Sequence, residues 1–246
     1  MIPVVGTPLQ QALRLAEASL AEPLLQAVFG LRLAYVGDGS GLPLLDASPV
    51  EYQVHVQLAS ADESSVAASL PCVKSDGQRI PLLSEAFDAV VLYHALEQSE
   101  DPHSLLREAE RILRPSGFLI LVGYRRMSLL GLAHWLGRFE STRAMQLLGT
   151  HRLKDWLKLL GLRLLSTDYA FYRYPWSGMG LRLMAWLERL GVVSRAPLGG
   201  ISVMMARKDV FGMTALHARN QQRLHAGLLA PAPMSNRIYN QSRKDT

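Results

Sequence analysis

The 246-residue sequence has one cysteine, Cys72, so it can hold neither an internal disulfide nor a multi-thiolate metal site. Its histidines, His55, His94, His103, His134, His151, His217 and His225, are scattered without metal-ligand spacing. No serine stands in a G-x-S-x-G setting, which leaves a serine hydrolase without its nucleophile turn. No apolar run reaches the ~18 residues of a membrane span. The opening MIPVVGTPLQQ has no basic segment leading into an apolar core, so no signal peptide is expected and a cytoplasmic protein is the reading. Charge is also missing where a nucleic-acid binder needs it. From position 207 onward Arg207, Lys208, Arg219, Arg223, Arg237, Arg243 and Lys244 face only Asp209 and Asp245, which accounts for the whole formal net charge of +5. The body before them is balanced. A basic footprint exists only in the tail, where contact with RNA or anionic lipid stands against simple solvation.

What is present is an alternation of helical and strand patterns. Over residues 7–30, Thr7 can cap a helix and Pro8 open it, while Leu9, Leu13, Ala16 and Leu20 recur at helical spacing. Pro23 is expected to divide this region into two helices, with Gly30 ending the second. Strands are expected at LRLAYV, YQVHVQL (52–58), PCVK (71–74), FDAVVLY (87–93) and FLILVGY (118–124). Between the last two lies DPHSLLREAERILRPSG, a helix capped by Asp101, opened by Pro102, and stopped by Pro115, Ser116 and Gly117. Its apolar face is Leu105, Leu106, Ala109, Ile112 and Leu113. HRLKDWLKLLG reads as a further helix, followed by strands near 162–172 and 200–207. Strands separated by helices imply a doubly wound, mostly parallel α/β sheet. Cys72, in a short strand, is expected in the core.

Within this pattern LRLAYVGDGSG (31–41) runs a strand into a G-x-G-x-G turn. Such a turn lets backbone approach a ligand closely, with the partial positive charge of a following helix N-terminus behind it. Alone it is equally the signature of a tight turn. The stretch from Ile80 to Tyr124, IPLLSEAFDAVVLYHALEQSEDPHSLLREAERILRPSGFLILVGY, adds an FD strand, H-x-L-E, D-P, a helix, L-x-P-x-G and another strand, in that order. With Asp76 before it, this block resembles the centre of the class I S-adenosylmethionine-dependent methyltransferases. More narrowly, DPHSLLREAERIL and GYRRMSLLGL are similar to the proteobacterial YafS-type methyltransferase-like proteins. The resemblance implies a Rossmann-like seven-stranded sheet with an antiparallel last strand, to which GISVMMARKD corresponds. It implies a helical extension over 1–30 and a methyltransferase domain over 31–208, with helical insertions at about 126–148 and 175–198. A poorly ordered basic tail over 209–246 completes the division.

The resemblance also implies the site. S-adenosyl-L-methionine would lie against Gly37, Asp38, Gly39 and Gly41. Asp76 falls where an acid meets the adenine amino group, and Gln57 where a carboxylate usually clasps the ribose. Leu92, Tyr93 and His94 fall on the loop bordering the methionine end, with His94 a candidate general base. Two positions depart from the pattern: Tyr35 replaces an acid and Gln57 a carboxylate. The acceptor implied is a small or apolar molecule, because MSLLGLAHWLG (127–137), GMGLRLMAWLERLG (178–191) and the aromatic YAFYRYPW (169–176) could wall such a site. The competing reading is a degenerate methyltransferase fold that acts as a binding or partner subunit. A dinucleotide-dependent oxidoreductase is disfavoured, since the turn is not G-x-G-x-x-G and no acid stands at position 57.

Overall fold

A computed structural model describes residues 8–58, 70–125, 148–170 and 199–209, all within one folded unit bounded at Asp209. Helix α1 (Pro8–Gln26) is followed by β1 (Arg32–Gly37), a 3₁₀ turn over Leu42–Ala47, β2 (Tyr52–Leu58), β3 (Cys72–Ser75) and β4 (Phe87–Tyr93). Then come α2 (Ala95–Gln98), α3 (Pro102–Ile112), β5 (Leu113–Tyr124), α4 (Thr150–Leu159), β6 (Leu162–Ala170) and β7 (Ile201–Lys208). The seven strands form one sheet in the order β3-β2-β1-β4-β5-β7-β6. The first five are mutually parallel, and β7 runs antiparallel to both β5 and β6. The expected class, with its antiparallel last strand, is the one observed. No helix among the described residues is long and apolar enough to cross a membrane.

The central strands β1 and β4 are near-continuous apolar runs because both faces of the sheet are covered there. On one face Ala34, Val36, Val56, Val90, Leu92, Leu119 and Leu121 pack under α2, α3 and α4. On the other, Leu33, Tyr35, Ala89, Val91, Tyr93 and Ile120 pack under α1 and the 3₁₀ turn. The expected apolar face of α3 is fully buried. At its start Asp101 Oδ1 accepts the N–H groups of His103 and Ser104, which satisfies donors a helix end leaves open. At its end Lys208 Nζ donates to the carbonyls of Glu110 and Leu113, so a residue of the last strand caps the helix.

Three expectations change. Pro23 does not split the N-terminal helix: it sits three residues from the helix end with its ring exposed, so the helix loses only the bond to the Ser19 carbonyl and the last turn closes on the Pro23 carbonyl. Helix α3 ends at Ile112, before the Pro-Ser-Gly stop. Extended pairing begins at once with Leu113 against Phe87 and resumes after an irregularity at Phe118 against Ala89; Ser116 there takes the left-handed conformation (φ 66°). Cys72 is exposed, because β3 is the edge strand and turns it outward. The Thr7 cap, the insertions of 126–148 and 175–198 apart from Leu148, the aromatic stretch beyond Ala170 and the tail beyond Asp209 lie outside the described residues.

Candidate cofactor site

Reversal of strand order on either side of β1 makes the crevice beyond the carboxyl ends of β1 and β4 a topological switch point, where open α/β sheets bind ligands. Register brings the sequence-predicted residues there. Gly37 pairs with Gln57 on one side and with Tyr93 on the other, so three candidates from distant parts of the chain stand at one level. Ser75 pairs with Leu58, which puts Asp76 just beyond the same end of β3.

The turn itself is built by close approach. A Cβ on Gly37 would lie 2.6 Å from the Tyr93 carbonyl oxygen, and one on Gly41 would lie 2.7 Å from the Tyr93 ring. Gly39 is left-handed at φ 82°. Asp38 Oδ1 accepts the backbone N–H and the hydroxyl of Ser40. Tyr35, where an acid was expected, is fully buried, and its hydroxyl oxygen accepts the N–H of Gly41 at 3.0 Å. Its ring stacks on Tyr93 with centroids 6.0 Å apart. Burial, then the charge of Asp38, pushes its phenol well above the ordinary tyrosine range, so the hydroxyl stays neutral. Tyr35 therefore fixes the far end of the turn without carrying a charge. Tyr35→Phe leaves a buried N–H without its acceptor and is expected to cost about 1–3 kcal/mol, read as a lower urea midpoint at unchanged slope.

The loop after β4 holds a buried polar cluster. His94 is buried and left-handed (φ 50°) at the start of α2, a conformation sustained only by its surroundings. Its Nδ1 lies 3.1 Å from Glu97 Oε2 and its Nε2 lies 3.1 Å from Glu17 Oε1. Tyr124 stacks on the ring at 4.1 Å between centroids. Glu17 also accepts the hydroxyl of Tyr93, and Glu97 accepts the backbone N–H of Tyr124. Burial opposes a charge on this imidazole, but Glu97 and then Glu17 outweigh it, and the pKa is pushed up to about 10. The ring is an imidazolium at neutral pH and donates on both sides. The base role read from its sequence position needs a ring already stripped of one of these protons, so this arrangement argues against it.

Other candidates separate by face. Gln57 is buried at the end of β2, with the Cys72 thiol 4.0 Å from its Oε1. Asp76 is exposed, and its Oδ1 accepts the N–H groups of Gln78 and Arg79, so it caps its own turn. Leu92 points to the opposite face, into the core under α2 and α3, and only its backbone belongs to this end of the sheet. His55, not singled out in the sequence, is buried beside Tyr35: its Nε2 faces the Gly37 carbonyl at 3.1 Å. Its Nδ1 finds no hydrogen-bond partner in the structure. Glu17 was missed although a signal was available. Leu13, Glu17, Ala21 and Leu25 are four apart and all buried, so an acid sits in the apolar stripe of α1. Glu97 stood inside the H-x-L-E motif without an assigned role.

The residues fit a nucleoside-containing ligand. A glycine turn held against Tyr93 and Tyr35 closes β1, a buried amide lies beside it, and an orphaned imidazole nitrogen lies under the same strand ends. Residues 34–121 match the family model of a methyltransferase domain. Protein YafS of Escherichia coli (strain K12) is 28% identical over 196 residues, covering 78% of this chain and 74% of that protein. A demethylmenaquinone methyltransferase of Mycobacterium sp. (strain JLS) is 26% identical over 198 residues, covering 75% of this chain and 78% of the other. Among solved structures, a possible histamine N-methyltransferase of Thermotoga maritima superposes with a TM-score of 0.60 at 20% identity, over 81% of this chain and 90% of that one. That last likeness is one of fold.

Proposed function

We propose that this chain, a class I methyltransferase by domain and fold, binds S-adenosyl-L-methionine at the switch point and transfers its methyl group to a small or apolar acceptor. The observation that carries this reading is the register that sets Gly37 between Gln57 and Tyr93 at the mouth of the crevice. The cofactor, when bound, supplies a methyl group already activated on a sulfonium. The chain's part is then to position and to exclude water. Gly37, Asp38, Gly39 and Gly41 admit the ligand to the backbone, and Gln57 hydrogen-bonds the ribose hydroxyls. Asp76 meets the adenine amino group, while Tyr93 and the backbone of Leu92 wall the methionine end. His94, held as an imidazolium, orients this loop as a donor. Gln57 replaces a charged acceptor by a neutral one, which lowers affinity by roughly 10- to 100-fold against a carboxylate there. An apolar acceptor agrees with the relatives named for methylating demethylmenaquinone.

A second reading, a non-catalytic partner subunit, is favoured by one observation: the uncharged Tyr35 already completes the turn by itself. Calorimetry separates the two. S-adenosylmethionine and its demethylated product are titrated into the wild type and Asp76→Asn, a change that keeps an oxygen to cap the turn. The enzyme reading expects wild-type binding, weakened about 10-fold in the variant. Absence of wild-type binding at millimolar ligand sinks it.

A further inference from the structure

The turn that closes β1 is gripped at both ends by two side chains that stand side by side on neighbouring strands. Tyr35 and His55 are Cα partners on β1 and β2, and their rings lie 5.3 Å apart at 58°. The Tyr35 hydroxyl accepts the N–H of Gly41, where the turn ends. His55 Nε2 stands 3.1 Å from the carbonyl oxygen of Gly37, where it begins. Gly37 with Gln57 is the last pair in the β1–β2 register, so this carbonyl marks the point at which the chain leaves the sheet. Between the two grips Gly39 is left-handed and Asp38 Oδ1 holds Ser40. A carbonyl oxygen only accepts, so the contact at Gly37 requires a proton on Nε2. The other ring nitrogen agrees. Nδ1 is buried and has no hydrogen-bond partner among the described residues, so a proton there would be a buried donor left unmet. The bond made by one nitrogen thus sets which of the two carries the proton.

We propose that His55 is a positioning residue of the cofactor site: by donating Nε2–H to the Gly37 carbonyl it fixes the start of the 37–41 turn in the conformation the ligand meets, while Tyr35 fixes its end. This rests on the cofactor reading above. His55 acts through the backbone and needs no contact with the ligand, which suits a side chain only 1% exposed. A turn ordered before the ligand arrives costs the complex no ordering at binding, so the grip is read as affinity.

The test titrates S-adenosylmethionine calorimetrically into wild type, His55→Leu, His55→Gln and Val56→Ala, with a urea midpoint taken for each. In His55→Leu the affinity falls roughly 5- to 10-fold, the scale of one lost hydrogen bond. Glutamine carries an amide nitrogen at a similar reach and restores the donor, so His55→Gln stays within about threefold of the wild type. Val56, the next residue on β2, points to the other face and into the core. Val56→Ala therefore lowers the urea midpoint while leaving the affinity of the folded protein within about twofold. Wild-type affinity in His55→Leu, a glutamine variant as weak as the leucine one, or an equal loss in Val56→Ala overturns the assignment. A second measurement decides however the variants fold: long-range ¹H–¹⁵N correlation of the wild-type imidazole is expected to show the proton on Nε2, and a proton on Nδ1 alone overturns the proposal. Absence of wild-type binding removes the cofactor reading and this assignment with it, whereas wild-type binding with an unaltered His55→Leu removes the assignment alone.

Discussion

Replacing Asp88 by alanine is expected to cost the protein about 2–4 kcal/mol, mostly from two backbone N–H groups that lose a charged acceptor, since Arg114 is half exposed. Asp88 is the acid of the FD strand, 3% exposed near the start of β4. Its Oδ2 accepts the N–H groups of Leu31 at 2.7 Å and Arg32 at 2.8 Å, and Oδ1 pairs with Arg114 after α3. One side chain thus ties the entry of β1 to β4 and to the entry of β5, at the end of the sheet opposite the crevice. Alanine leaves two backbone donors without their acceptor and a guanidinium without its counter-ion. The loss shows as a shifted urea midpoint. If Asp88→Ala shifts stability by less than about 1 kcal/mol, the clamp does not hold the strands. Because the clamp is remote from Gly37, S-adenosylmethionine affinity of the folded fraction should stay near that of the wild type.

Stability should also fall as the solution becomes alkaline. His94 in the unfolded chain titrates near 6.5, and in the folded protein its proton is held to about pH 10. Between these values the folded state keeps a proton that the unfolded chain has released. Each pH unit in that window therefore favours unfolding, by at most about 1.4 kcal/mol for one proton. Below 6.5 this group contributes its full stabilisation and adds no slope. Above pH 10 the buried Tyr35 and Tyr93 and the partly buried Tyr124, all raised by desolvation first and by neighbouring carboxylates after it, continue the trend in the same direction. Urea midpoints at pH 6, 7.5 and 9 measure the slope, and His94→Gln should flatten it between the first and last. An unchanged slope in the variant would assign the alkaline loss to other groups.

The sheet was legible in the sequence because its signals are local. YQVHVQL and FDAVVLY are apolar strands whose observed bounds match the expected ones, and Asp101-Pro102 marks the start of α3 without help from the rest of the chain. The fold class followed from the alternation of such segments. What the sequence could not give were consequences of contact. Pro23 breaks a helix by rule, but here too little helix remains beyond it to matter. Cys72 looks like a core residue until the strand order makes β3 an edge. The glycine turn was visible as a motif, whereas the partners that require its glycines, Tyr35 and Tyr93, meet it only through register. The protonation of His94 depends on Glu17, 77 positions earlier in the chain, and no spacing rule connects the two.

The Glu17–His94 contact has a practical corollary for how this protein can be cut. A fragment begun at β1 would keep all seven strands and every glycine of the turn. It would also strip one of two counter-charges from the imidazolium and expose the Tyr93 hydroxyl. A piece that keeps this contact therefore starts upstream of Leu13, and the helix that looks like an appendage packs on the same sheet face as Tyr35 and Tyr93.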